Sequence, residues 1–70
     1  MPPSLKWTDT EDIALLLHEN FPDVDPLTVR FTDLRDRVCG LADFGDKPEA
    51  CSEGKLEAIQ MAWLEEYRGG

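Results

Sequence analysis

Polar and apolar positions in the first third of the chain alternate with the period of an amphipathic α-helix. Ile13, Leu16 and Leu17 recur at spacings of three and four residues, with Asn20 one turn further on. Side chains at these spacings share one face of a helix. The pattern therefore predicts a first helix whose aliphatic stripe faces the core.

Local signals bound this first helix at both ends. Thr8 and Glu11 have the spacing of a capping box, in which each side chain satisfies a free backbone N–H of the first turn. They predict a helix that starts at about Asp9. Phe21 precedes Pro22, and a residue before proline is pushed out of the helical region, so the helix is expected to end there.

A second helical segment is predicted in the middle of the chain. Pro26 suits the first position of a short helical turn through Thr28. Residues 29–31 are a β-like stretch that is too short to define a strand by itself, and a stub of strand is one interpretation of it. Thr32 is the candidate N-cap of a helix from residue 33 to about residue 39. Gly40 is then expected to stop this helix in the left-handed conformation.

The last part of the chain predicts a loop and a third helix. Residues 42–48 are polar, contain Gly and Pro, and are expected to form a loop pinned by Phe44. The third helix is predicted to be capped by Ser52 or by a residue just before it. The apolar positions that recur there at helical spacing are Leu56, Ile59 and Trp63, with Leu64 and Tyr67 beside them. We therefore expect a mostly α, compact three-helix domain that resembles a degenerate winged helix or helix-turn-helix. It is expected to be a single domain over residues 1–70, with a core at about 5–67 and flexible ends at 1–4 and 68–70.

Charge changes what this architecture implies. The 70 residues carry 7 Lys and Arg against 15 Asp and Glu, a formal net charge of -8. A DNA duplex presents about one negative charge per 1.7 Å, so it would repel the predicted third helix with its four glutamates. We therefore expect no nucleic-acid binding.

The longest apolar run, residues 13–17, is far below the roughly 20 residues of a membrane-spanning helix, and no apolar leader precedes it. This predicts a cytoplasmic protein that does not bind membranes.

Catalytic and cluster-binding constellations are missing from the sequence. A chain this short buries only about 60% of its unfolded surface, which disfavours a deep active site. His18 has no nucleophile at a suitable spacing and is expected to be a solvated side chain. Cys39 and Cys51 spell no zinc or redox motif, and an iron-sulfur cluster needs four thiolates. We expect two reduced thiols that act as small hydrophobic side chains at the ends of elements, and no enzyme activity, with a disulfide left open.

Carboxylate pairs are the chemistry that the chain does offer. Asp9 and Asp12, Asp33 and Asp36, and Glu53 and Glu57 are each spaced to share a helix face. Such pairs can hold a hard cation loosely. They can equally be solvated charges that keep the protein soluble.

The outer face of the first helix has a more specific pattern. Glu11, Asp12, Leu15 and Glu19 fall together on a helical wheel, opposite the buried stripe. A leucine surrounded by charges of one sign is typical of a docking face for a basic, partly apolar surface. This pattern predicts a basic protein partner.

Five segments of the chain form a recognisable set: LKWTD (residues 5–9), DPxTVRFTDL (25–34), LxDFxDxP (41–48), LEAI (56–59) and WLxE (63–66). Together they resemble the IscX family, the small acidic accessory proteins of the bacterial ISC iron-sulfur cluster assembly system. They occur in order and span nearly the whole chain. The resemblance implies a winged-helix-like monomer that binds the cysteine desulfurase, on a basic surface also used by the frataxin homologue, and that binds iron weakly. It also implies an adaptor, an iron donor or a regulator of the desulfurase; a generic acidic interaction module is the remaining alternative.

The helical wheel and the resemblance together give candidate residues for these roles. The partner-binding candidates are Glu11, Asp12, Leu15, Glu19, Asp33 and Asp36. The candidates for weak iron binding are Asp9, Asp12, Glu19, Asp33 and Asp36. The positions interpreted as core are Trp7, Phe31, Phe44, Leu56, Ile59 and Trp63.

Overall fold

The computed structural model describes residues 5–69, and most of these residues are helical. Its helices are α1 (Thr10–Asn20), α2 (Phe31–Cys39) and α3 (Glu53–Tyr67), with short 3₁₀ turns at Pro26–Thr28 and Pro48–Ala50. This confirms the predicted mostly α, three-helix fold. Within the described part, extended pairing is limited to one parallel bridge between Leu5 and Phe44. The predicted flexible ends at 1–4 and at residue 70 lie outside the described residues.

α1 begins and ends within one residue of the predicted positions, but its N-terminal capping differs from the prediction. Asp9 is the N-cap residue, and no side chain caps the helix, so the capping box of Thr8 and Glu11 is wrong. The physical reason is a tight turn before the helix, in which the Asp9 carboxylate accepts from the Lys6 N–H at 2.8 Å. The helix ends at Asn20, and the N–H of Phe21 donates to the Leu17 carbonyl.

The first 3₁₀ turn forms where Pro26 predicts it. It is capped by Asp25, whose side chain accepts from the Leu27 N–H at 3.0 Å. The carboxylate thus satisfies a backbone donor that a short turn leaves free. Pro26 itself is buried, so this turn also contributes to the core.

α2 starts at Phe31, two residues earlier than predicted, and Thr32 is inside it. Val29 and Arg30 are extended but belong to no strand, so the strand stub and the Thr32 cap are wrong. The half-buried Phe31 packs against the core, which favours helix at this position over a longer extended segment. Gly40 ends α2 as predicted, but with φ -81° and ψ -7°, because its N–H closes an ordinary helical turn onto the Asp36 carbonyl.

One hydrophobic core lies between the three helices. α1 buries Ile13, Ala14 and Leu17, α2 buries Leu34 and Val38, and α3 buries Leu56, Ile59, Trp63 and Leu64. Ser52 caps α3 as predicted, since its hydroxyl accepts from the Lys55 N–H. Of the positions interpreted as core, Phe31 and Phe44 are only half-buried and pack on its edge.

Within residues 5–69, no helix is both long and apolar enough to cross a membrane.

Trp7 joins the N-terminal segment to the loop before α3. Its side chain is fully buried, and its indole N–H donates to the Lys47 carbonyl at 2.7 Å. The Phe44 ring meets the Trp7 ring edge-on, with centroids 4.8 Å apart, a favourable aromatic geometry. The prediction that Phe44 pins this loop is therefore confirmed.

The two buried tryptophans differ in hydrogen bonding, and this predicts unequal effects of the same substitution. Within the described residues, the Trp63 indole N–H has no hydrogen-bond partner, whereas that of Trp7 has one. Trp7→Phe should therefore lower the free energy of unfolding by about 1–2 kcal/mol more than Trp63→Phe, since only Trp7→Phe breaks a hydrogen bond. Urea denaturation of both variants measures the difference. Equal losses would contradict the role given to the Trp7 hydrogen bond.

Candidate functional site

The outward face of α1 carries the residues that the sequence predicts there. Glu11, Asp12, Leu15 and Glu19 are all exposed, and the Leu15 side chain is 44% exposed. The opposite side of the helix buries Ile13. The helical wheel thus correctly predicts that these side chains are exposed on one face of α1.

A groove runs between α1 and α3 beside Leu15, and we call it the α1–α3 groove. Its volume is about 230 Å³. It is lined by Glu11, Ala14 and Leu15 from α1 and by Ala62, Glu65 and Glu66 from α3. Small and aliphatic side chains therefore meet three glutamates in one depression. This arrangement suits a surface that is apolar and basic at once.

Glu65 and Glu66 are missing from the residues that the sequence predicts for this face. The apolar periodicity of residues 56–67 places both glutamates on α3, but it does not predict that α3 lies next to Leu15. The signal that could have found them is their spacing from Ala62, since residues three and four apart on a helix share a face. Their position depends on how α1 packs against α3, which is the largest helix-helix contact of the structure.

The candidate iron ligands are only partly brought together. Asp9 and Asp12 line a shallow depression of about 280 Å³ at the start of α1, together with Glu11 and two threonines. Asp33 is exposed on α2 and lines neither this depression nor the α1–α3 groove. Over residues 5–69, no group of three or more His, Cys, Asp or Glu side chains is arranged to hold a metal ion. The described residues thus offer carboxylate pairs as candidate ligands.

The thiols agree with the prediction, and the histidine does not. Cys39 and Cys51 are free, half-buried and located at the ends of helical elements. Burial raises the pKa of the Cys39 thiol, so the weakly nucleophilic neutral form is favoured. His18 is half-buried, and its Nδ1 is buried without a partner among the described residues, so its prediction as a solvated side chain is wrong. It lies one turn after the buried Ala14, at the margin of the packed face.

Asp46 serves the fold of the loop. Its carboxylate accepts hydrogen bonds from the backbone N–H of the next residue, Lys47, at 2.8 Å and from the backbone N–H of Trp7 at 3.2 Å. These two hydrogen bonds, that from Lys47 first, lower the pKa of Asp46 below its ordinary value. Both oxygens of the Asp46 carboxylate thus accept hydrogen bonds from backbone N–H groups, and these bonds hold the loop against Trp7.

The lowered pKa of Asp46 predicts a pH-dependent contribution to stability. A carboxyl group whose pKa is lower in the folded state stabilises it above the ordinary pKa, and this contribution is lost as the pH falls through the folded value. Asp46→Asn should therefore be less stable than the unaltered protein at pH 7. The difference should shrink as the pH falls below about 4. Thermal unfolding between pH 7 and pH 2.5 measures it, and a difference that does not depend on pH would contradict the assignment.

Comparison with known proteins gives a family and a relative. A family model described as iron-sulphur cluster assembly matches residues 5–68. The chain is also 54% identical over 63 residues to an uncharacterized protein of Pseudomonas aeruginosa, which covers 90% of this chain and 96% of that protein. The family match extends over α1, α2 and α3, and so over the groove.

Proposed function

The chain belongs to the iron-sulphur cluster assembly family, the family indicated by the resemblance to IscX, and we propose that it is a non-catalytic adaptor of this machinery. In this proposal it acts in the cytoplasm and docks on a basic surface of the cysteine desulfurase. Since the frataxin homologue is expected to use the same surface, the two proteins compete for it. Regulation of the desulfurase then follows from occupation of that surface.

The observation that carries this proposal is the α1–α3 groove. Leu15 is exposed beside Glu11 on α1 and beside Glu65 and Glu66 on α3. Carboxylates at the rim attract a basic partner, and the leucine and alanine surface provides apolar contact once the partner is bound. A solvated helix face explains the charges, but it does not explain a groove that places an exposed leucine among them.

The charge of the whole chain supports the same partner chemistry. A net charge of -8 on 70 residues steers the protein toward basic surfaces and away from acidic ones. This attraction acts over a Debye length of roughly 8 Å at physiological ionic strength. Binding is therefore expected to weaken as salt is added, with the apolar contact at Leu15 retained.

Three substitutions test the groove against the rest of the acidic surface. Leu15→Ser should weaken binding to the cysteine desulfurase by about 10-fold, because it removes the apolar contact at the centre of the groove. Glu65→Lys should weaken it by at least about 10-fold at low salt and less at high salt, since it places a like charge against a basic surface. Isothermal titration calorimetry at two salt concentrations measures both effects.

The matched control is Glu57→Lys. Glu57 is exposed on α3 outside the groove, and its reversal changes the net charge as much as that of Glu65. It should cost only the small, general loss that follows from lower net charge. If Glu57→Lys weakens binding as much as Glu65→Lys, the groove is not the docking site. If a different basic protein binds and the desulfurase does not, the chain is a generic acidic interaction module.

The second candidate function is that of an iron donor, in which iron is weakly bound cargo. The observation that favours it is the depression where Asp9 and Asp12 lie together at the start of α1. Carboxylate oxygens suit hard cations, and an open pair binds them with low affinity. Glu19, Asp33 and Asp36 are further carboxylates of the proposed set, on exposed positions of α1 and α2.

Ferrous ion, added anaerobically, tests this second function without the desulfurase. The backbone resonances of Asp9 and Asp12 should broaden first, because a paramagnetic ion acts on nearby nuclei. The double variant Asp9→Asn, Asp12→Asn should lose this broadening, while Glu53→Gln, Glu57→Gln should keep it. If the broadening is absent or equal at all carboxylates, the chain is not an iron donor, and docking on the desulfurase is unaffected.

A further inference from the structure

A second depression lies on the other flank of α1, where α1 and α2 both end, and we call it the α1–α2 cleft. Its volume is about 450 Å³, larger than that of the α1–α3 groove. Apolar walls are provided by Leu16, Phe21 and Leu41. Charged side chains are provided by Asp36, Arg37 and Asp43. An open cleft with these walls fits one long side chain of a partner better than it fits a flat surface.

The backbone makes this cleft electronegative. The carboxyl ends of helices carry negative partial charge, and α1 and α2 both end here, at Asn20 and Cys39. Two carboxylates, Asp36 and Asp43, line the same cleft. Neither takes part in a side-chain hydrogen bond within residues 5–69. They are therefore available to a donor from outside.

Among the described residues that line the cleft, Arg37 is the one cation. Its guanidinium lies over the Phe21 ring, 4.5 Å from the centroid, in a cation–π contact. Its Nε is buried without a hydrogen-bond partner among the described residues. Arg37 thus stays on the aromatic wall, and the charge of Asp36 and Asp43 is not neutralised by an ion pair with it.

We propose that the α1–α2 cleft binds a long cationic side chain, arginine or lysine, of a protein partner. The aliphatic part of that side chain packs on Leu16 and Leu41, and its charged end bonds to Asp36 and Asp43. Charge complementarity selects this occupant, because the negative charge of two carboxylates and two helix carboxyl ends exceeds the positive charge of one guanidinium. Arg37 limits the affinity, since it repels an incoming cation.

The cleft shares no lining residue with the α1–α3 groove, which carries the proposed docking function. Leu16 and Asn20 lie on one flank of the exposed face of α1, whereas Ala14 and Leu15 line the α1–α3 groove on the other. A partner that lies across α1 is therefore able to place one side chain on each flank. Binding at the cleft is measured without any desulfurase, so the two proposals fail independently.

The experiment is a titration of the ¹⁵N-labelled protein with the peptide acetyl-Ala-Arg-Ala-amide, followed by backbone amide shifts. Saturable shifts are expected at Phe21, Gly40 and Leu41, with a dissociation constant in the millimolar range. Acetyl-Ala-Glu-Ala-amide should not produce them, and acetyl-Ala-norleucine-Ala-amide should produce them only weakly, since it keeps the apolar part alone.

Three variants separate the cleft from general electrostatic attraction. Asp43→Asn should weaken binding of the arginine peptide by about three-fold or more, and Arg37→Gln should strengthen it by a similar factor. Glu57→Gln, which removes a charge outside the cleft, should leave the affinity unchanged. Unshifted resonances elsewhere in each spectrum establish that the variants are folded.

Either of two results would overturn the proposal. One is equal loss of affinity in Asp43→Asn and Glu57→Gln, with shifts spread over all acidic surfaces, which means non-specific attraction. The other is saturable binding of the glutamate peptide in the cleft, which means that Arg37 makes it a site for anions.

Discussion

The packing of α1 against α3 is the constraint on which the rest of the structure depends. Ile13 and Leu17 from α1 and Ile59 and Trp63 from α3 are fully buried in the core. This contact fixes which residues of the two helices are neighbours at the surface. At its edge the small Ala14 lines the groove, and Leu15 and the glutamates of α3 meet there. The acidic, partly apolar groove is therefore a direct consequence of how the core is packed.

Contacts around Trp7 explain why the loop acids differ from those on the helices. Trp7 is buried, and it binds the loop through the Lys47 carbonyl, the Asp46 carboxylate and the Phe44 ring. Since Asp46 accepts from two backbone N–H groups, its charge serves the loop. The carboxylates of Glu11, Glu65 and Glu66 take part in no side-chain hydrogen bond within residues 5–69 and remain available to a partner. Acidic residues of this chain therefore fall into structural and exposed groups according to their contacts.

Local signals predicted most of the fold, and tertiary contacts account for what they missed. The spacing of Ile13 and Leu17, the Phe21-Pro22 step and the Ser52 cap are properties of short segments, and each is found as predicted. The capping box failed because Asp9 closes a turn with Lys6. The exposed face of α1, one half of the candidate site, was predictable from the helical spacing of its residues. Its neighbours on α3 were not, because their approach to Leu15 depends on the α1–α3 packing, and the α1–α2 cleft depends likewise on where two helices end.

We propose that the protein meets the cysteine desulfurase with the α1–α3 groove. The most direct test of this claim is an NMR spectrum of the ¹⁵N-labelled protein with a sub-stoichiometric amount of the unlabelled desulfurase. We predict that exchange broadening is strongest at Glu11, Leu15 and Ala62 and is absent at Glu53 and Glu57 on the remote side of α3. Broadening centred on Glu53 and Glu57, with α1 unaffected, would contradict the account.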